Sequence, residues 1–292
     1  MQPKKTIKLL SLAITSSIVF MACQKEINTK HDAAGRTAST SSDASGLRPV
    51  FKSEEMNEVD LILSPNSAAD ASEISATGCG ATITYDPSPN VYPRTVTYDW
   101  GTGCTSTTGV TRSGKMIQKY SGDISILGNT VLISYDNFYF NGIKIDGKLK
   151  FSNNEFKSTH EEGELKYRLT YLNRKTTMEN GNYIIVNGHT KIARGTNNVG
   201  YPGFPNGDFR EITGDGKPLT YTQSIDGVVR QYTVDIISTL VYVSDCDFIT
   251  RGTLQYNYAD QSVATFDYGA GDCDDQAAYT KDGVTTWVTL GP

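Results

Sequence analysis

The sequence predicts an all-β fold over residues 77–292, either a mostly antiparallel sandwich or a curved, barrel-like sheet. Three observations predict it. From Cys79 onward apolar and polar residues alternate with period two. Ile143, Ile145, Leu149 and Phe151, for example, alternate with Lys144, Asp146, Lys148 and Lys150, and Gly147 takes an inward slot. Hairpin-type dipeptides recur at Asn141-Gly142, Asn180-Gly181, Asn187-Gly188, Asp226-Gly227 and Asp282-Gly283. The 17 Tyr and 27 Gly, with abundant Thr, favour pleated half-buried surfaces and tight turns.

Taken in chain order, the first residues read as a targeting segment. Lys4, Lys5 and Lys8 form a positive start, and Leu9 to Met21 is mostly apolar. That stretch is shorter than the roughly 20 apolar residues a spanning helix needs. It ends in Phe20-Met21-Ala22-Cys23, which resembles the lipobox of bacterial lipoproteins. The resemblance implies a signal peptide over residues 1–22, cleavage before Cys23 and lipidation of Cys23, although Phe20 replaces the more usual Leu. Such cleavage would leave 24 Lys and Arg against 32 Asp and Glu, taking the formal charge from -5 to -8. An acidic mature chain argues against nucleic acid as a partner. Membrane contact is expected through the lipid anchor alone.

Residues 23–50 hold few large apolar groups and read as a lipidated flexible tether. Gln24-Lys25-Glu26 only loosely resembles a surface-export signal, so the periplasmic and surface faces both stay open. Residues 51–76 are expected to form a short helical lead-in. Ser53 suits an N-cap before Glu54 and Glu55, Met56, Val59 and Leu63 fall on one helical face, and Pro65 ends the pattern.

The all-β part opens and closes on one motif. Tyr98-Asp99-Trp100-Gly101-Thr102-Gly103-Cys104 matches Phe266-Asp267-Tyr268-Gly269-Ala270-Gly271-Asp272-Cys273. Each copy is preceded by another cysteine at a similar spacing, Cys79 and Cys246. Equal motifs at near-equal spacing predict two local disulfides, Cys79–Cys104 and Cys246–Cys273. A zinc site on the four thiolates is disfavoured, because no close CxxC pair occurs. The duplicated unit spans about residues 79–118 and 246–290. Thr111-Arg112-Ser113-Gly114 lines up in sequence with Thr280-Lys281-Asp282-Gly283. Tyr98 with Trp100, and Phe266 with Tyr268, would point one way into a core, and Asp99 and Asp267 the other. The preferred reading is a structural staple at a strand end. The sharper reading places Ca²⁺ on Asp267, Asp272, Asp274 and Asp275, and no other cofactor is implied.

Between the copies, Val131–Phe140 comes closest to a strand apolar on both faces, and Tyr232–Val243 is a β-branched run suited to a central strand. Residues 196–218, rich in Gly, Pro and Asn, read as a linker or a long functional loop. Tyr201, Phe204 and Asp208 are its candidate binding contacts.

The lipobox, the polar tether and the paired "YDWGTGC" and "FDYGAGDC" units together resemble a class of Bacteroidota-type lipoproteins. The resemblance implies an exported chain held at the outer membrane, with palmitate among its acyl groups, and carries no activity with it. The leading functional expectation is a binding or adhesion module for glycan or an envelope protein. A lipid or lipoprotein carrier and a carboxylate-dependent glycan hydrolase are the alternatives. For the hydrolase, Glu161, Glu162 and Glu164 cluster in sequence, but no G-x-S-x-G, H-E-x-x-H or P-loop motif occurs. His31, His160 and His189 have no recognisable nucleophile beside them.

Overall fold

The computed structural model describes residues 79–107, 109–153, 165–195, 209–243, 246 and 248–290. The expected signal peptide, Cys23, the expected tether and the expected helical lead-in lie outside these residues.

The described chain is all-β, a single antiparallel sheet of fifteen strands. They are β1 (Thr82–Asp86), β2 (Arg94–Asp99), β3 (Cys104–Thr105), β4 (Thr111–Tyr120), β5 (Thr130–Phe140), β6 (Ile143–Ser152), β7 (Leu165–Thr177), β8 (Tyr183–Gly195), β9 (Phe209–Gly214), β10 (Leu219–Ile225), β11 (Val228–Val243), β12 (Ile249–Tyr258), β13 (Val263–Ala270), β14 (Gln276–Lys281) and β15 (Val284–Thr289). Nearly every strand pairs with its neighbours in sequence. Short turns make this meander the economical topology. Asn141-Gly142, Asp226-Gly227 and Asp282-Gly283 each place two successive residues at positive φ, the backbone of a tight type I′ hairpin.

Two features break the regularity. β3 is a two-residue appendage on β4. β9 and β10 share one position between β8 and β11: β9 pairs with Thr190–Gly195 of β8, and β10 pairs with Tyr183–Asn187. They are one strand interrupted at 215–218. Part of the segment expected as a linker or loop is therefore strand, because Phe209–Gly214 alternates half-buried and buried side chains between two partners.

One face of the sheet is interior. Val96, Met116, Ile133, Leu149, Leu169, Ile192, Ile212, Val234, Leu254, Phe266 and Ala277, from strands across its whole width, belong to one buried cluster. A single sheet buries one face along such a width by curling around it. The curl has visible hinges. Gly114 of β4 lies against Asn137 of β5, and Gly147 of β6 against Asn173 of β7. At both places the register slips and both residues have positive φ. A Cβ on either glycine would fall on the neighbouring asparagine's carbonyl oxygen. These bulges bend the strands and increase their twist.

Three sequence expectations are corrected. Asn187-Gly188 is not a turn. It lies inside β8, where Asn187 Oδ1 accepts a bond of 2.7 Å from the Asn173 N–H and so satisfies the neighbouring bulge. Val131–Phe140 is not apolar-buried on both faces. Val131, Ile133, Phe138 and Phe140 are buried, but Asn137 and Tyr139 are exposed. Thr111–Gly114 and Thr280–Gly283 are not equivalent. Asp99 pairs with Lys115 and Asp267 with Ala278, so the first tetrapeptide opens β4 while the second runs out of β14 into a turn.

Candidate functional site

The duplicated motif is a staple in both copies. In each copy the motif strand pairs with the strand before it, Tyr98 with Ile83 in the first copy and Phe266 with Leu254 in the second. Tyr98, Trp100, Phe266 and Tyr268 are all buried. The outward aspartates make the same local bond: the Gly101 N–H donates to Asp99 Oδ1 at 2.8 Å, and the Gly269 N–H to Asp267 Oδ1 at 2.9 Å. That amide, followed by Lys115, holds the Asp99 carboxyl below the usual carboxylate range. The cysteines join as Cys79–Cys104 and Cys246–Cys273, with Cα atoms 5.2 and 5.6 Å apart. Two such bridges mark a chain that matures outside the reducing cytoplasm.

The structure does not bring the four aspartates expected to hold Ca²⁺ together as a ligand set. Among the described residues no three His, Cys, Asp or Glu side chains gather as a metal group. Each acid near the second staple instead serves its own turn: Asp274 Oδ1 accepts from the Gln276 N–H at 3.0 Å, and Asp275 Oδ1 from Gln276 Nε2 at 2.8 Å. Asp272 lies in the exposed segment just before them. Tyr201, Phe204, Asp208, Glu161, Glu162, Glu164, His31 and His160 lie outside the described residues.

Two concave sites lie among the described residues. The smaller, about 290 Å³, opens where the strand between β8 and β11 is interrupted. Its rim includes His189, Lys217 and Asp235. Beside it Asp215, largely shielded from solvent, is gripped by Arg168 Nη2 at 2.7 Å, Lys191 Nζ at 3.1 Å and His189 Nε2 at 3.4 Å. The cluster satisfies a carboxylate that the break would otherwise leave in a half-buried position. Three neighbouring strands meet there, because Arg168 pairs with Lys191, and Lys191 with Thr213.

The larger site is an open groove of about 780 Å³ next to the first staple. It crosses the ends of β4, β5, β6 and β7. The loop carrying Thr102 to Thr105, the Asn141-Gly142 turn and the Met178–Gly181 turn bound it. Ser113, Tyr139, Lys144 and Thr177 form one row across these four strands, each opposite the next. Asn141 fixes the corner: its N–H donates to the Thr111 carbonyl at 2.9 Å, and its Oδ1 accepts from the Thr111 N–H at 2.8 Å. Tyr139 is 39% exposed, whereas Tyr98, Tyr120, Tyr167, Tyr171, Tyr221, Tyr232, Tyr256, Tyr268 and Tyr279 are buried. Arg112 lies at the sheet end, its guanidinium 5.0 Å from the Phe140 ring centre and 6.0 Å from that of Trp100.

Sequence reasoning missed this groove. The turn at Asn141-Gly142 was legible, but Tyr139 was one tyrosine among many, and Arg112 was read only as part of a repeat. No helix among the described residues is long and apolar enough to cross a membrane. No protein-family model matches the chain, and searches of curated proteins and of solved structures likewise return no match.

Proposed function

We propose that this chain is a cell-envelope lipoprotein, held at the outer membrane by acyl chains on Cys23, whose β-sheet domain binds glycan. The observation that carries the binding reading is the groove beside the first staple. An exposed tyrosine there stands in a row with Ser113, Lys144 and Thr177 on rigid strands. An aromatic face accepts the apolar side of a sugar ring while nearby hydroxyls and amides meet its polar edge. Sites built on strands keep their geometry better than sites on loops.

Anchoring and binding are tested separately. Palmitate labelling of cells producing the full chain should mark the protein, and Cys23→Ser should abolish the label. The full chain, purified in detergent, should bind members of a glycan array, and Tyr139→Ala should weaken that binding about tenfold or more, in the range of a lost stacking contact at a desolvated site. Silence across the array, with the protein folded, would sink the glycan reading.

A further inference from the structure

The break between β9 and β10 builds a second site, apart from the groove. Leu219 of β10 pairs with Val234 of β11, and Ile212 of β9 with Leu240, so residues 235–239 of β11 have no strand opposite them on that side. Across the gap, β8 leaves only Gly188 and His189 between Asn187, which pairs with Thr220, and Thr190, which pairs with Gly214. Segments of such unequal length cannot lie flat, and β11 slips register between Ile236 and Ser238. The cavity of about 290 Å³ is the result. Its depth is apolar, formed by the buried Leu219 and Val234. Thr190 also lines it, fully buried, and its Oγ1 has no hydrogen-bond partner among the described residues. An orphaned buried hydroxyl costs free energy that a ligand's own polar group would offset. The mouth carries two opposite charges, the exposed Lys217 and the half-buried Asp235. Neither forms an ion pair among the described residues, with the other or with any third group, and Asp235 Oδ2 only accepts from Asn257 Nδ2 at 3.0 Å. Asp215 engages the remaining charged or ionisable groups nearby, Arg168, Lys191 and His189.

We propose that this cavity binds a free amino acid with a short, neutral, hydroxyl-bearing side chain, such as threonine or serine. Its α-ammonium meets Asp235, its α-carboxylate meets Lys217, and its hydroxyl reaches Thr190 past the apolar wall. A zwitterion presents both charges on one small molecule, which is what two unpaired opposite charges at one mouth can hold together. Lys217 brings a compact charge on a flexible stem, so it closes onto the carboxylate after entry. The cavity shares no lining residue with the groove, and the proposal does not depend on the glycan reading.

The test is calorimetry on the full chain in detergent, titrated with free L-amino acids and with capped forms of threonine. Threonine should bind about tenfold or more tightly than its isostere valine, which leaves Thr190 unpaired. N-acetyl-threonine, which lacks the ammonium, and threonine amide, which lacks the carboxylate, should each bind about tenfold or more weakly than threonine. Asp235→Asn should erase the penalty for the acetylated form alone, and Lys217→Gln the penalty for the amide alone. Thr190→Val, which keeps the shape, should bring threonine and valine within about twofold. Capped and free forms that bind alike overturn the proposal. So does valine binding as tightly as threonine, or the absence of both heat and thermal stabilisation with every amino acid at about 10 mM. Should a variant misfold, the comparison of free and capped ligands on the unaltered chain decides alone.

Discussion

Gly114 and Gly147 illustrate how far a single missing Cβ reaches in this molecule. Each faces an asparagine carbonyl across a bulge, in a backbone conformation that L side chains rarely adopt. Gly114→Ala should therefore cost about 3 kcal/mol or more, combining φ strain with a backbone clash. Gly283→Ala is the control. Gly283 also has positive φ, but nothing lies within 4 Å of its would-be Cβ. That change should cost only about 1 kcal/mol. Urea midpoints for the two variants separate clash from strain. Equal losses would mean that strands β4 and β5 can move apart at the bulge to admit a methyl group.

At the scale of the element, the two staples should contribute alike. Their cysteines are 25 and 27 residues apart, so removing either pair should cost about 3 kcal/mol in the chain-entropy account. Double serine variants measured by denaturant titration give both values. The interrupted strand is a second point of vulnerability. Asp215→Ala leaves Arg168, His189 and Lys191 facing one another, and should destabilise the fold by about 1–2 kcal/mol. Amide exchange should accelerate first in β9 and β10. These elements were unevenly legible. Alternation and the Asn141-Gly142 turn were sufficient for β6, because local pattern and long-range pairing agree there. Such signals failed at Asn187-Gly188 and at Phe209–Gly214, where a residue's role is set by the strand opposite: Asn187 is a turn former by type and a bulge cap by position. The Asp215 cluster and the groove beside the first staple were illegible for the same reason. Arg168, Lys191 and Asp215 meet through pairing of β7, β8 and β9, and period-two alternation does not say which strands will be neighbours.

Over the whole molecule, the core is rich in phenols. Tyr120, Tyr232, Tyr256 and Tyr268 are at most 6% exposed, and burial pushes the hydroxyl of each well above its ordinary value. A raised folded pKa keeps the neutral form, so this contribution is full below the unfolded tyrosine value of about 10. It is lost as pH climbs beyond that, at about 1.4 kcal/mol per pH unit for each buried ring. The protein should unfold cooperatively in alkali. Tyrosinate absorbance should show the exposed rings ionising first and the buried ones only together with loss of the β signal. Smooth ionisation of all tyrosines near pH 10 in a folded protein would contradict this.

The meander also bears on how the chain reaches its folded state after export. Because almost every strand seeks the partner made just before it, a polypeptide emerging end-first from a secretion channel can lay down each hairpin on arrival, without waiting for distant residues. Only the last step, bringing the two halves of the curl together over the phenolic interior, needs the complete chain.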